Sequence, residues 1–493
     1  MNATMTQAEK RTGQIDQQTN SQWLIVHGHF YQPPREDPFS DLLPVEAGAA
    51  PFANYNEKIT AECYRPNAKL GNFELISYDM GPTLASWLEK HHPDVYQRII
   101  LDNARHRQRY GTGNALSQVY NHTILPLAST RDKRTQILWG MADFRHRYGH
   151  AASGMWLAET AVDLECLDML ASLGITHTIL APWQSETPID PSEPYIVRLS
   201  EGRCIVVFFY NNRSGSVSFD QQLTMNADTF SDELAPHWNQ GKIRTGTQQL
   251  MILATDGEFY GHHQEHRDQF LSYLINAAAP NRGYQVGTLE RYLQLYPPTK
   301  EARIREKSAW SCAHGSARWS IGCDCTEGDS RWKPALLLAI TKLNERGAQI
   351  FEQHTREVLN DPWAARDEYL GLRNGWESET GFWERNAKQG RIPDAELAWR
   401  TRMLLEAQYY HQYSFTSCGW FFEDLDRIEP RNNIAFARRA ISLTWQATGI
   451  DLQSSFVTDL SLARSWKTGR TGADVYASLP AVPANLGPQE GLR

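Results

Sequence analysis

Short apolar runs alternate with longer amphipathic stretches through the first 300 residues of the chain. Seven runs predict β-strands, at residues 23–30, 72–79, 114–120, 154–159, 176–182, 203–210 and 248–256. Several are apolar almost throughout, which is typical of strands buried on both faces of a sheet. Helical patterns separate them, among them 83–100, 131–149 and 159–174. This alternation predicts an α/β fold, either a parallel β/α barrel or a doubly wound sheet.

The pattern changes after about residue 330, where strand signals stop and apolar positions take helical spacing. Leu336, Ile340, Leu343 and Ile350 set this spacing, and residues 396–413 and 433–448 continue it. We therefore predict an all-helical C-terminal region packed on the barrel. The predicted boundaries are a disordered lead-in at 1–20, a catalytic barrel at 21–300, an aromatic and cysteine-rich linking loop at 301–332, a helical domain at 333–468 and a flexible tail at 469–493.

In a β/α barrel, catalytic side chains lie at the C-terminal ends of the strands. The polar and aromatic candidates there are His27, His29 and Gln32 after the first strand, Glu159 at the fourth, Trp183 after the fifth, and Asp256, Glu258 and His263 at the seventh. Glu159 and Asp256 follow strongly apolar runs, where a carboxylate is costly to bury without partners. Two such carboxylates can face each other across the barrel mouth, as glycoside hydrolysis requires. Alternatively, Glu159 is a helix N-terminal residue stabilised by the dipole.

His27 and His29 form an H-x-H pair, whose side chains lie on one face of a strand. Together with Asp256 and either His262 or His263, they predict one alternative function, a metal-dependent hydrolase or deacetylase. Two histidines that hydrogen-bond a sugar hydroxyl and orient a carboxylate fit the same strand equally well.

A second cluster of possible ligands, Cys312, His314, Cys323 and Cys325, lies in the linking loop. The spacing C-x-H followed by C-x-C is compatible with zinc, but it is not that of a common structural finger. The simpler interpretation is a set of buried or incidental thiols. We accordingly assign no metal ligand and predict no cofactor.

Composition narrows the classes of partner. The chain has 493 residues and a net charge of −8, so it lacks the basic footprint of a nucleic-acid or anionic-membrane binder. No apolar run approaches the 18 or more residues of a membrane span. Seven scattered cysteines and a polar N-terminus predict a cytoplasmic protein with reduced thiols, neither disulfide-bonded nor secreted. The sequence leaves the oligomeric state open.

Aromatic residues are abundant, with 16 Trp, 20 Tyr and 18 Phe making up 11% of the chain. Composition alone does not distinguish large cores from a surface that stacks on sugar rings. Position along the chain divides the tryptophans into two groups. The candidate sugar platforms are Trp156, Trp183, Trp310, Trp319, Trp332 and Trp420, whereas Trp87, Trp139 and Trp445 lie on amphipathic helices and are assigned to cores.

Three motifs resemble those of glycoside hydrolase family 57, which includes α-amylases, 4-α-glucanotransferases and α-glucan branching enzymes. HGHFYQPP resembles its histidine-rich first motif, GMWLAETAVD its nucleophile motif with Ala158 replacing the usual Pro, and LATDGEFYGHH its acid/base motif. Cys418 stands where the family often has Asp. The resemblance covers about residues 22–450.

The resemblance implies a (β/α)7 barrel, one strand short of a TIM barrel, followed by a helical region. It implies that Glu159 is the nucleophile of a retaining reaction on α-glucosidic bonds and that Asp256 is the acid/base. His27 and His29 would contact the sugar, the substrate would be an oligo- or polysaccharide, and the chemistry needs no metal. Hydrolysis and transfer both remain open. A non-catalytic carbohydrate-binding relative is a further alternative, against which the presence of both carboxylates argues.

Overall fold

The computed structural model describes residues 21–480 and residue 482, so the predicted lead-in lies outside the described residues. Within this range the strands are β1 (Gln22–Phe30), β2 (Ser77–Met80), β3 (Ala115–Gln118), β4 (Met155–Trp156), β5 (His177–Leu180), β6 (Tyr195–Arg198), β7 (Cys204–Phe209), β8 (Gln249–Asp256) and β9 (Gln285–Val286). Each of the seven predicted strands has a counterpart, but the one predicted at 72–79 begins only at Ser77, because Asn72–Leu75 forms a short helix. The short strands β6 and β9 were not predicted.

The strands form a curled, mostly parallel sheet. One sheet has the order β4-β3-β2-β1-β8, with β9 beside β1, and a second has the order β5-β7-β6. A parallel bridge between Gly154 and His177 connects β4 to β5. The amide of Asn211, just after β7, donates to the carbonyl of Ile252 in β8 at 2.8 Å. These connections confirm the predicted incomplete β/α barrel, to which the antiparallel strand β6 is added.

Thirteen described α-helices surround or connect these strands. They are α1 (Tyr55–Ile59), α2 (Arg65–Leu70), α3 (Asn72–Leu75), α4 (Pro82–His91), α5 (Pro93–Tyr110), α6 (Thr130–Tyr148), α7 (Leu164–Ser172), α8 (Ser214–Phe219), α9 (Ala227–Glu233), α10 (Gln240–Thr245), α11 (Arg267–Tyr273), α12 (Ala279–Asn281) and α13 (Leu289–Leu295). The helical pattern at 83–100 is divided into α4 and α5 because Pro93 cannot donate a helical hydrogen bond. No described helix is long and apolar enough to cross a membrane.

The C-terminal region is helical, as predicted. Its helices are α14 (Trp332–Thr355), α15 (Pro362–Arg373), α16 (Glu379–Asn386), α17 (Ala395–Tyr413), α18 (Cys418–Phe421), α19 (Ile428–Thr448), α20 (Gln453–Leu460) and α21 (Gly472–Ala477). Helix α21 lies in the segment predicted as a flexible tail, yet Val475 and Tyr476 are buried in the helical core. Their burial explains why this part of the tail is ordered.

The helical core continues into the barrel. Tyr120, Trp139 and Ala158 of the barrel belong to the same buried cluster as Leu336 and Tyr409 of the helical region. The indole N–H of Trp139 donates to the carbonyls of Arg366 and Asp367, both at 3.1 Å. The two parts of the chain therefore share one apolar interface rather than meeting at a hinge.

Side chains along β1 and β8 point alternately to the two faces of the sheet, and this alternation determines where the functional residues lie. Trp23 and Ile25 of β1 pack in the barrel interior with Leu250 and Ile252 of β8. The next side chains on the same face are His27 and His29 in β1, and Ala254 followed by Asp256 in β8. In the parallel register His29 pairs with Asp79 on one side and with Asp256 on the other. The apolar interior therefore gives way to a ring of titratable groups at the carboxyl ends of the strands.

Candidate active site

Glu159 follows β4 in a turn with unusual backbone conformation. Its φ is +57° and that of Thr160 is +47°, the left-handed region that few residues other than glycine adopt. This conformation ends the predicted strand 154–159 early, at Trp156. Such strain persists only where the surrounding structure holds it in place, and it is common at functional sites.

Gln184, which is completely buried after β5, holds this turn. Its side-chain carbonyl accepts from the hydroxyl of Thr160 at 2.7 Å and from the amide of Ala181 at 2.8 Å. Its side-chain NH2 donates to the carbonyl of Thr160 at 2.8 Å and to the hydroxyl of Ser308 at 3.2 Å. One side chain therefore ties the Glu159–Thr160 turn to β5 and to the linking loop.

Two residues of the linking loop orient the Glu159 carboxylate. The indole N–H of Trp310 donates to Oε2 at 3.1 Å, and the hydroxyl of Ser311 donates to the same oxygen at 2.6 Å. The amide of Trp310 also donates to the carbonyl of Glu159 at 3.0 Å. Among the described residues no hydrogen bond reaches Oε1. The carboxylate is therefore held through one oxygen and open at the other.

Asp256 ends β8 in different surroundings. Within residues 21–480 its carboxylate accepts no hydrogen bond. Burial raises the pKa of Asp256 to about 6, with further increases from the charges of Glu159 and Asp79 and an opposing effect of His29. A carboxyl group with this pKa is protonated in a large fraction of molecules near pH 6. The two carboxyl groups therefore differ in their surroundings, since two donors hold Glu159 through one oxygen and burial without hydrogen bonds raises the pKa of Asp256.

Glu258 belongs to a buried hydrogen-bond network behind the site. Its Oε1 accepts from the hydroxyl of Tyr64 at 2.6 Å, the amide of Tyr31 at 3.3 Å and the side-chain NH2 of Gln32 at 3.4 Å. Burial raises the pKa of Glu258 to about 7, although the Tyr64 hydrogen bond lowers it. These contacts make Glu258 and Gln32 internal supports of the β1 and β8 ends, and a contact with substrate stays a prediction for both.

Asp79 lies at the end of β2 and bridges the two histidines of β1. Its Oδ1 is 3.1 Å from Nε2 of His27, and its Oδ2 is 2.8 Å from Nδ1 of His29. The side chain of Gln118 donates to Oδ2 at 2.8 Å. Burial alone would lower the pKa of His29, but the charge and hydrogen bond of Asp79 raise it to about 9. His29 is therefore a buried cation at neutral pH.

His27 differs from His29 in its pKa and in its hydrogen bonds. Burial lowers its pKa, and its second ring nitrogen, Nδ1, is 3.1 Å from the hydroxyl of Ser77. Both nitrogens of His27 are therefore occupied within the protein. This corrects the prediction that His27 contacts the sugar directly. His29 makes its contacts through Nδ1, and among the described residues no hydrogen bond involves its Nε2, so His29 remains the sugar-binding candidate.

Replacing Asp79 with asparagine is expected to destabilise the fold by roughly 3–5 kcal/mol, because the buried His29 cation loses its counter-charge. The folded-state pKa of His29, about 9, exceeds the unfolded value of 6.5. Its contribution to stability is therefore complete below pH 6.5 and lost as pH rises through 9. Urea unfolding at pH 6 and pH 9.5 tests this, with the exposed Asp232→Asn variant as control. A loss equally large at both pH values would contradict the assignment.

Five aromatic rings pack against one another in the site with nearly parallel planes. Tyr31 stacks on His122 at 3.9 Å, His122 on His29 at 5.3 Å, and His29 on Trp156 at 5.0 Å. Trp156 also stacks on His27 at 4.9 Å and is completely buried. Trp156 therefore supports the imidazoles from inside the barrel. This corrects its prediction as a sugar platform, since its face is covered by protein.

The other predicted aromatic platforms fall into two groups. Trp420, Trp319 and Trp332 are buried to 2% exposure or less and belong to the helical core. Trp183 is 45% exposed and Trp310 is partly exposed, so these two retain an open surface at the barrel mouth. Of the three tryptophans assigned to cores, Trp87 and Trp139 are buried, whereas Trp445 is 53% exposed and that prediction is wrong.

The two histidines after β8, His262 and His263, make their contacts outside the group of residues around Asp256 and His29. His262 contacts Glu62, with Nδ1 2.6 Å from Oε2, and His263 is exposed against the ring of Phe259. Within the described part of the chain neither histidine contacts Asp256, His27 or His29, so the donors of the predicted metal-hydrolase alternative are not brought together. Among the described residues, the group of metal-ligand donors that does converge is Cys312, His314, Cys323 and Cys325.

Sequence reasoning missed five residues of the site, namely Asp79, Gln118, His122, Gln184 and Ser311. Asp79 and Gln118 could have been found, because each is a polar residue at the end of a predicted strand. His122 follows the third strand and is held by Ser417 of the helical region, with Nδ1 2.6 Å from the hydroxyl. Ser311 carries no sequence signal, because its role depends on a contact with a residue 152 positions earlier.

Comparison with known proteins agrees with this architecture. The profile described as Glycosyl hydrolase family 57 matches residues 14–305, and one described as Domain of unknown function (DUF3536) matches residues 329–489. Alpha-amylase 1 of Dictyoglomus thermophilum is 27% identical over 97 residues, which span 20% of this chain and 13% of that protein.

Solved structures show the same fold at low sequence identity. An exo-type maltose-forming amylase from Pyrococcus sp. ST04 is 15% identical with a TM-score of 0.71, covering 89% of this chain and 83% of its own. A branching enzyme from Thermococcus kodakaraensis is 14% identical with a TM-score of 0.59, covering 96% of this chain and 100% of its own. Because the profile spans more than half of the sequence, the chain belongs to glycosyl hydrolase family 57, a family of glycosidase-type enzymes.

Proposed function

We propose that this protein is a retaining enzyme that cleaves α-glucosidic bonds in an oligo- or polysaccharide and passes the glycosyl group to water or to a second sugar. An amylase and a branching enzyme are among the similar proteins, which supports an α-glucan as the substrate. The observation that carries the proposal is the contrast between Glu159, held through Oε2 by two donors, and Asp256, whose pKa is raised to about 6.

In the first step, the carboxyl proton of Asp256 passes to the glycosidic oxygen as the bond to the anomeric carbon breaks. Oε1 of Glu159 attacks that carbon from the opposite face and forms a glycosyl ester. The leaving sugar departs with the proton of Asp256. Burial of Asp256 favours the protonated form that this step requires, and the fixed Oε2 of Glu159 restricts attack to the other oxygen.

In the second step, the Asp256 carboxylate removes a proton from water or from an acceptor hydroxyl. The resulting oxygen nucleophile attacks the anomeric carbon, the ester bond breaks and Glu159 is released as a carboxylate. Two inversions at one carbon restore the original configuration. The charged His29, whose Nε2–H makes no hydrogen bond with the described residues, is suited to donate to a hydroxyl of the sugar at the cleavage site.

The partly exposed rings of Trp183 and Trp310 are suited to stack on neighbouring sugars. The indole N–H of Trp183 donates to the carbonyl of Ala309 at 3.1 Å, which fixes the ring at the rim. Apolar sugar faces pack on such rings, while the hydroxyl edges remain hydrated. All seven cysteines are free, which supports a cytoplasmic setting for the reaction.

The proposed function is tested by incubating the full chain with a maltooligosaccharide of defined length and following the products by NMR and chromatography. We expect the first product to have the α configuration. Shorter sugars alone would indicate hydrolysis, and longer or branched sugars would indicate transfer. A cellooligosaccharide of the same length is the matched control and should remain intact. A first-formed β product, or binding without turnover, would overturn the proposal.

A further inference from the structure

Four potential metal ligands converge at the surface of the linking loop, outside the site described above. Sγ of Cys312 is 3.6 Å from Sγ of Cys323, 3.6 Å from Sγ of Cys325 and 3.8 Å from Nδ1 of His314. Sγ of Cys325 is 3.4 Å from the same nitrogen. All four ligand atoms lie within 4.8 Å of one another. The chain thus gathers three thiols and one imidazole around a common centre.

These separations match the edges of a zinc tetrahedron. With Zn–S near 2.3 Å and Zn–N near 2.0–2.1 Å, tetrahedral geometry requires S···S separations of about 3.8 Å and S···N separations of about 3.5 Å. A disulfide requires about 2.05 Å between two sulfurs. Cys312 is instead equally distant from Cys323 and Cys325, at 3.6 Å. The arrangement therefore fits a shared central ion better than a pair of bonded sulfurs.

We propose that Cys312, His314, Cys323 and Cys325 bind one Zn²⁺ ion as a closed, four-coordinate structural site. Three soft thiolates and one imidazole in tetrahedral arrangement favour zinc over magnesium or calcium, which prefer oxygen ligands. Four protein ligands leave no position for a substrate, so the ion would have a structural role rather than a catalytic one.

The loop has the turns needed to fold back on itself. Gly315 has φ +60°, and a side chain there would lie 2.1 Å from the carbonyl oxygen of Lys307. Gly322 has φ +86°, and a side chain there would lie 2.2 Å from the hydroxyl of Ser330. These glycines permit the tight path that returns Cys323 and Cys325 to Cys312.

A buried lysine offsets the charge of the proposed site. Three thiolates and one dication would leave a net charge of −1. Lys333 is completely buried and donates to the carbonyl of Arg318 at 3.2 Å; burial and the charge of Arg318 lower its pKa to about 8, and the three cysteines oppose this effect. A buried ammonium requires an opposite charge nearby. The zinc-bound cluster would supply that charge.

The proposed ion would also position the active site. Cys312 directly follows Ser311 and Trp310, the two donors to Oε2 of Glu159. These donors lie in residues 306–328, between the two segments that match known families. Anchoring the loop through four ligands would fix both donors relative to the carboxylate. The four ligands are therefore positioning residues and do not themselves contact the reacting atoms.

The experiment uses the full chain purified without chelators from zinc-supplemented cells. Metal analysis is expected to find one zinc per chain, and replacement by Co²⁺ should give the visible absorption of a tetrahedral thiolate complex. Zinc content should fall close to zero in Cys325→Ser and in Cys323→Ser. Cys204→Ser, which alters an exposed thiol elsewhere, is the matched control and should retain one zinc.

Circular dichroism is expected to show that the Cys325→Ser variant keeps its secondary structure, since Cys325 is exposed. A zinc-free protein with freely titrating thiols would overturn the proposal, as would a mass 2 Da lower that reveals a disulfide. Zinc content and the Co²⁺ spectrum do not depend on glucan turnover. The test of the metal site is therefore independent of the test of the proposed enzymatic activity.

Discussion

Replacing Glu159 with alanine is expected to lower kcat/KM on a maltooligosaccharide by about 10⁴-fold or more, the scale seen when a covalent nucleophile is removed. The reason is that no other described carboxylate is held by Trp310 and Ser311 at the end of β4. Without the ester intermediate, the oxocarbenium-like transition state lacks its partner on one face of the sugar. Initial-rate kinetics on the wild type and the variant provide the measurement.

Added azide makes the Glu159 test specific. A small anion can occupy the space of the lost carboxylate and attack the anomeric carbon once, giving a glycosyl azide of inverted configuration. Glu345→Ala, on the exposed face of α14, is the matched control and should retain wild-type turnover. If the Glu159→Ala variant keeps turnover near that of the wild type, another residue must be the nucleophile.

The second large effect is expected for Asp256→Asn, which should lower the rate on unactivated glucans by about 10²–10⁴-fold. Asparagine cannot donate the proton that the departing sugar oxygen requires. An aryl glucoside with an acidic leaving group needs little protonation, so its glycosylation step should be affected much less. A lower rate on the unactivated glucan alone would indicate that the acid is missing. A lower rate on both substrates would indicate that the variant is misfolded.

The pH dependence gives a further signature of Asp256. Since the protonated acid is the active form and its pKa is raised to about 6, the wild-type rate should fall as pH rises through that value. In Asp256→Asn this decline should disappear, whereas the exposed Asp232→Asn control should keep it. An unchanged alkaline decline in the Asp256 variant would show that another group supplies the proton.

Much of the fold and part of the site follow from the sequence. The apolar runs locate the seven barrel strands, because strands buried on both faces need almost continuous apolar sequence, although the first half of the run at 72–79 is helical. The alternation within β1 places His29 on the barrel interior, and the strand-end rule selects Glu159 and Asp256. The strand positions are inferred correctly because they depend on local spacing and on one general property of parallel barrels, whereas the catalytic roles of Glu159 and Asp256 stay predictions.

The other features of the site depend on contacts between residues that are distant in the sequence. The sequence near Trp156 does not reveal that its ring lies between two imidazoles, since those belong to another strand. The left-handed turn at Glu159 carries no glycine that would indicate it. The spacing of Cys312, His314, Cys323 and Cys325 is irregular because the glycine turns, rather than a short motif, bring the donors together.

The contact between His122 and Ser417 bears on when the site is completed during synthesis. These residues are 295 positions apart, and the amide of Ser417 also donates to the carbonyl of His122 at 3.1 Å. His122 has φ +52° and stacks on both Tyr31 and His29. A ribosome exposes the barrel strands well before residue 417, and domains fold in the order in which they emerge. The cluster of stacked rings therefore gains this support only after residue 417 has been synthesised, well after the strands of the barrel.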